Sequence, residues 1–269
     1  MTIARFKNKP DCFFVAFALA FSLLAQTITA QAQTGGDSKN AVVLDLPNNS
    51  IGTLERIIDG ADYSKEHSPG TTFAQLKGKV AIAPNTILGV TVRDSLSDPL
   101  PVLVRIPPNL VQSLTLIGLA DFNERTIKCI LRFKNIKRLQ LDDSELDDAG
   151  LAMLATLPNL ESLVVSHTQI KGTTFSSLCA LKKLSRLDIG SNEIKGESLT
   201  ALTCLTHLDN LSIGRCHLRN PHLSFLAGLP NLRQLDINDN HLLFRPLYEI
   251  HCAPPQPHGH QTRRHANFV

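Results

Sequence analysis

The chain has 269 residues, 43% of them hydrophobic and 19% charged, with a formal net charge of +3. That length suits one extended domain plus a small additional module. So small a net charge leaves no basic footprint for nucleic acid.

The amino terminus is predicted to be processed. Arg5, Lys7 and Lys9 precede an apolar run from Cys12 to Ala25, and Ala30-Gln31-Ala32 fits a small-residue cleavage site. A positive segment, a short apolar run and such a site together read as a secretory signal peptide over residues 1–32. The alternative is an uncleaved amino-terminal anchor, for which the run is short. Removing 1–32 leaves 24 basic and 23 acidic residues, a formal charge of +1. No second apolar stretch is long enough to span a membrane, so the processed chain is expected to be secreted, periplasmic or held at the cell envelope. Residues 33–40 (QTGGDSKN) are polar and glycine-rich, a flexible leader.

Residues 41–107 read as a small β-rich module. Ala41 to Leu46 is a strand, and Asn48-Asn49-Ser50 supplies a cap or turn. Ile51 to Ile58 fits helix or strand equally, and Asp59 to Thr72 is loop-like. Two strands come next, Lys79 to Ala83 and Ile87 to Val92, joined at the turn signal Pro84-Asn85. A third is expected from Val102 to Ile106.

From Pro107-Pro108-Asn109 the chain becomes periodic, and 108–250 is one repeat domain of about six units. Ile136, Leu160, Leu184, Leu208 and Leu232 recur every 24 residues, and each opens the phrase L-x-x-L-x-L-x-x-x-x-L. Leu139, Leu141 and Leu146 complete the first phrase; Leu163, Val165 and Ile170 complete the second. Val111, Leu114 and Leu116 form a degenerate earlier copy. A fixed period of this length is the signature of a solenoid. Repeat stacks expose core at their ends, so the β-rich module is expected to cover the first coil. The second half of each repeat carries Leu151, Leu154 and Leu157, then Phe175, Leu178 and Leu181, then Leu199, Leu202 and Leu205, then Leu223, Leu226 and Leu229. Spacing of three to four is one face of a short helix. Asp148 and Asn220 occupy the N-cap place, with Pro221 at the first helical position. The unit is therefore strand, turn and short helix, and six strands at about 4.8 Å span roughly 29 Å. Leu247 and Ile250 still fall on helix places. Residues 251–269 (HCAPPQPHGHQTRRHANFV) break the pattern and are expected to be disordered.

Five cysteines lie beyond the signal segment: Cys129, Cys179, Cys204, Cys216 and Cys252. Cys216 shares its place with Ser144, Thr168, Asn192 and Asn240, a slot for a small side chain that bonds backbone at the turn. Cys129 falls on an inward place. Cys179 and Cys204 share places with alanine, threonine and glycine and read as packing residues. The alternative for that pair is a bridge between adjacent repeats.

The phrase L-x-x-L-x-L-x-x-N/C/T-x-L, and the segment Asp147-Asp148-Ala149-Gly150-Leu151-Ala152-Met153-Leu154, resemble leucine-rich repeat proteins. With the signal segment, Lys79-Val80-Ala81-Ile82-Ala83-Pro84 and the Pro-Pro-Asn entry, the chain is similar to exported planctomycete-type members with 24-residue repeats. The resemblance covers 110–250 strongly. It implies an α/β solenoid with parallel strands on the concave face, short helices on the convex face, and a protein-binding role.

In each repeat the third, fifth and seventh residues are expected to face the concave side. These are Arg138, Gln140 and Asp142; Ser162, Val164 and Ser166; Arg186, Asp188 and Gly190; Asn210, Ser212 and Gly214; Gln234, Asp236 and Asn238. The strip is polar and lacks the aromatic anchors that dominate binding hot spots. A protein or glycan contact would centre on Arg138, Arg186, Asp188 and Asp236; the plain alternative is a solvated strand face. The acidic run Asp142 to Asp148 reads as a solvated turn with an N-cap, and Asp236-x-Asn238-x-Asn240 lacks the glycine and closing glutamate of a calcium loop. His251, Cys252, His258, His260 and His265 have no fixed ligand geometry. His167, His207, His217, His222 and His241 lie on different turns and read as exposed. No signature of nucleophile, metalloprotease, phosphate loop or dinucleotide site is present. The expectation is an exported non-enzymatic protein-interaction module without metal or cofactor. The alternative is a structural or glycan-contacting envelope component without a discrete protein partner.

Overall fold

A computed structural model describes residues 41–48, 52–57, 61–63, 70–93, 98–119 and 122–243. The readings of 1–40 as signal and leader, of the turn at 49–50, of the helix places at 247 and 250, and of 251–269 as a tail lie outside the described residues.

The phrase L-x-x-L-x-L folds as anticipated. Its strands are β6 (Val111–Ile117), β7 (Arg138–Gln140), β8 (Ser162–Val164), β9 (Arg186–Asp188), β10 (Asn210–Ser212) and β11 (Gln234–Asp236). They pair in parallel, rung on rung, with Leu139, Leu163, Leu187, Leu211 and Leu235 in one register column. Strand alternation turns these leucines inward, and from Leu139 to Leu211 each is 0% exposed.

Past each strand the chain must turn sharply, and the eighth residue of every repeat takes the left-handed conformation. Asp143, His167, Ser191, Arg215 and Asp239 have φ between 52° and 56°. For a residue with a side chain this costs roughly 1–2 kcal/mol. A hydrogen bond to the next coil offsets it. The N–H groups of Asp143, His167, Ser191 and Arg215 donate to the carbonyls of Ser166, Gly190, Gly214 and Asn238 at 2.8–3.2 Å. The ninth residue closes the turn. Asn192 donates to the carbonyls of Val165, Ile189 and Gly190, and accepts from the N–H and hydroxyl of Thr168. Asn240 repeats that donor pattern two coils further on. Between them Cys216 sits in the same slot with its thiol against the carbonyls of Ile189 and Gly214, and burial pushes its pKa up to about 11. Burial likewise raises the Cys129 thiol, so the two free cysteines among the described residues are packing groups.

The convex side differs in detail from expectation. Two segments are α-helices, α2 (Glu124–Ile130) and α3 (Asp148–Leu154), whereas Phe175–Ala180, Gly196–Cys204 and Asn220–Gly228 are 3₁₀ helices. A three-residue leucine spacing suits the 3₁₀ period, but α3 carries the same spacing, so it does not decide between the two helix types. The N-cap of α3 is Asp147, which accepts from Gly150 N–H at 2.8 Å, not Asp148. Asp148 instead accepts from the N–H groups of Lys171, Gly172 and Thr173 in the next coil. Asn220 is the first helical residue, with Arg219 as N-cap. Cys179 and Cys204 are joined by a disulfide with Cα atoms 5.5 Å apart. This corrects the packing reading. Both residues lie on the convex helices of adjacent coils, 25 residues apart, which places their Cβ atoms within bridging range.

The two strands joined at Pro84-Asn85 belong to different sheets. β1 (Val42–Leu46) pairs antiparallel with β4 (Gly78–Ile82), forming a separate two-stranded sheet. β5 (Ile87–Arg93) leaves at Pro84-Asn85 for the other sheet. There β2 (Gly52–Ile57) lies between β5 and β3 (Gly70–Gln75), antiparallel to both. The segment that fitted helix or strand equally is thus strand over Gly52–Ile57, and part of the expected loop before Thr72 belongs to β3. β5 then runs parallel to β6, so one nine-stranded sheet, β11-β10-β9-β8-β7-β6-β5-β2-β3, crosses from module to repeats. Parallel neighbours need a crossover. The short helix α1 (Leu100–Leu103) lies in that crossover, where a strand from Val102 was expected. Pro99 and Pro101 start it, since proline suits a first helical turn, and Asp98 accepts from Leu100 N–H at 2.9 Å.

These ties set two stability outcomes. Asn192→Ala strands three carbonyls and the Thr168 donors, and should cost about 2–4 kcal/mol in urea unfolding; an unshifted midpoint would deny the ladder a structural role. Replacing Cys179 and Cys204 by serine should cost about 3–4 kcal/mol, the chain-entropy value for a loop of this length, read as a lower Tm that matches the reduced wild type.

Candidate protein-binding face

The strands set the candidate residues in columns. Arg138, Ser162, Arg186, Asn210 and Gln234 are register partners, as are Gln140, Val164, Asp188, Ser212 and Asp236. They share one face because they alternate with the inward leucines. These ten residues therefore belong to one strip, with Asp142 and Asn238 at its turn edge.

The strip is not uniformly open. Arg138, Ser162, Val164 and Arg186 are buried, at 2%, 0%, 6% and 8% exposure. Gln140, Asp142, Asp188, Asn210 and Ser212 are half-buried, and Gln234, Asp236 and Asn238 are exposed. The accessible part is thus centred on β9 to β11 and leaves out both arginines named from the sequence. At the other end Arg138, Gln140, Asp142 and Ser166 form a chain of hydrogen bonds. Arg138 donates to Gln140 Oε1 at 3.3 Å, Gln140 donates to Asp142 Oδ2 at 2.6 Å, and Asp142 Oδ1 accepts from Ser166 N–H and hydroxyl. Buried or half-buried, and in part bonded to one another, these groups offer few donors to a partner.

The open end has a notch of about 310 Å³ lined by Ser166, Asp188, Ser212, Gly214, Asp236 and Asn238, among others. Gly190 and Gly214 leave it open at the seventh place. A Cβ on either would meet a backbone carbonyl oxygen of the next coil at 3.2 Å, a tight contact, so glycine there both eases the close approach of the coils and keeps the notch clear. Asp188 accepts from Gly190 N–H at 3.0 Å and stands 3.9 Å from Arg186 Nη2. Burial raises its pKa; the Gly190 N–H, Ser212 and Arg186 oppose that, in falling order.

Not anticipated from the sequence are the side-chain pairs at the turn edge. Asp143 Oδ1 lies 2.5 Å from His167 Nδ1, Arg215 pairs with Asp239 at 3.0 Å, and His217 Nδ1 lies 3.3 Å from His241 Nε2. The members of each pair are separated by one repeat, so the 24-residue spacing was the available signal. His217 and His241, read as lone exposed residues, are in fact neighbours.

No family model matches the chain, and no curated protein does. Solved structures do. An internalin of Listeria monocytogenes matches at 24% identity over 50% of this chain and 37% of its own, with a TM-score of 0.42. Internalin C2 of the same organism matches at 28% identity over 55% and 59%, with a TM-score of 0.42. The mouse RP105/MD-1 complex matches at 22% identity over 52% and 24%, with a TM-score of 0.43. The stacked parallel strands, left-handed turns and short helices described above make the fold a leucine-rich repeat solenoid. The chain spans less than two thirds of each of these neighbours.

Asp188 gives the face a pH dependence with a definite sign. Its folded-state pKa is raised, so the folded chain holds this proton more tightly than the unfolded chain does. The protonated form favours folding, and that contribution is lost as pH rises through the raised pKa. Asp188→Asn should therefore match or exceed wild-type stability at neutral pH, with the gap closing as acid reaches the ordinary carboxylate range. Chemical denaturation across that range checks it, and a variant less stable than wild type at neutral pH contradicts the assignment.

Proposed function

We propose that this protein is an exported, non-enzymatic interaction module that binds a protein partner through the open end of its concave face. The observation that carries the reading is the polar notch between β9 and β11, the accessible part of a strip whose other end is buried. Partner contact there would use Asp188, Ser212, Asp236 and Asn238, with Asn210 and Gln234 beside them. The disulfide between Cys179 and Cys204 supports export, because such bonds persist in oxidising compartments. Among the described residues no helix is long and apolar enough to cross a membrane. No aromatic side chain stands among the named strip residues, and nothing on the strip favours the glycan reading.

The test is capture from the native secreted and envelope fractions with the full chain. Wild type should retain one stoichiometric protein, and Ser212→Arg or Asp236→Lys should each lower retention by about tenfold or more while leaving the melting profile intact. Equal capture by wild type and both variants would place the contact elsewhere.

A further inference from the structure

We propose that His217 and His241 form a two-histidine chelate for a late divalent transition metal of the zinc, nickel or copper type. Both side chains are exposed, and they occupy the tenth place of consecutive coils. Nδ1 of His217 and Nε2 of His241 are 3.3 Å apart, with ring centroids at 5.4 Å. Two imidazole nitrogens bound to a tetrahedral zinc at about 2.0–2.1 Å lie roughly 3.3–3.4 Å from each other. The nitrogens therefore already stand at the separation that a shared metal requires.

Backbone geometry around the pair is built rather than incidental. His217 is left-handed, with φ of 55°. The equivalent residues Glu145, Gln169, Glu193 and His241 are not, so this strain is particular to His217 among the tenth-place residues. Such strain persists only where the surroundings enforce it. Here the enforcement comes from Asn240, the neighbour of His241. Its Oδ1 accepts from the N–H groups on both sides of His217, Cys216 at 3.0 Å and Leu218 at 2.9 Å. One side chain thus locks the backbone of the first histidine to that of the second, the kind of outer support that metal ligands need. The nearby cation, Arg215, is paired with Asp239 at 3.0 Å, which lessens its repulsion of a metal ion. Glu193, one coil earlier in the same column, adds negative charge. No group of three or more His, Cys, Asp or Glu side chains converges among the described residues. The described residues therefore supply two ligands, with water for the remaining positions.

Without metal, the same contact is a hydrogen bond between the two rings, and the experiment separates the two. Zinc chloride is titrated into the full chain, with binding heat and imidazole nitrogen resonances as readouts. Saturable binding that shifts the ring signals of both His217 and His241 supports the site. The double variant His217→Asn with His241→Asn should then weaken zinc binding by more than about tenfold. Ring signals unmoved at saturating zinc, or affinity unchanged in the double variant, would overturn it; the latter would assign the metal to histidines elsewhere in the chain. Should that variant fold poorly, the wild-type resonances decide alone.

Discussion

Everything in this molecule depends on one hydrogen bond made again in each coil. The N–H of a left-handed eighth residue reaches the carbonyl just before its own equivalent in the next coil. That bond fixes where each strand ends and where the next turn begins. It also explains how Asp143, His167, Ser191 and Arg215 hold a conformation their side chains disfavour. The ninth-place side chains extend it sideways, with Asn192 and Asn240 each tying carbonyls from two coils. Stability in such an array is close to a sum over neighbouring coils, so each tie matters locally.

The surface pattern arises from the same repetition. Equivalent residues in successive coils are held side by side, so any two side chains 24 residues apart become neighbours whatever their chemistry. This sets Asp143 against His167, pairs Arg215 with Asp239, and brings two imidazoles together at His217 and His241. It also makes the notch, because glycine falls at the seventh place twice in succession. The solenoid is in this sense a device for converting sequence period into surface pattern.

Much of the fold was legible because the leucine phrase has a physical cause. Inward positions on a strand alternate, and a 24-residue period leaves few ways to stack. The ninth-place slot was legible for the same reason: serine, threonine, asparagine and cysteine all bond backbone from a short side chain. Less local features were not legible. The pairing of β1 with β4 depends on which edges are free, which alternation does not encode. The crossover through α1 depends on β5 joining β6 in parallel. The cap at Asp147 lies one residue before the place that spacing suggested, since both aspartates can accept and only geometry assigns which one turns inward to its own helix.

The sequence by itself determined the solenoid, its inward columns and the identity of the concave strip, since these rest on periodicity alone. Tertiary structure decided which part of that strip is open, that Cys179 and Cys204 are bonded, and that His217 and His241 touch. The physical reason is the same in each case. Exposure, bridging and contact depend on distances between coils and on the direction each side chain takes, and a one-dimensional period fixes which residues are neighbours without fixing how they meet.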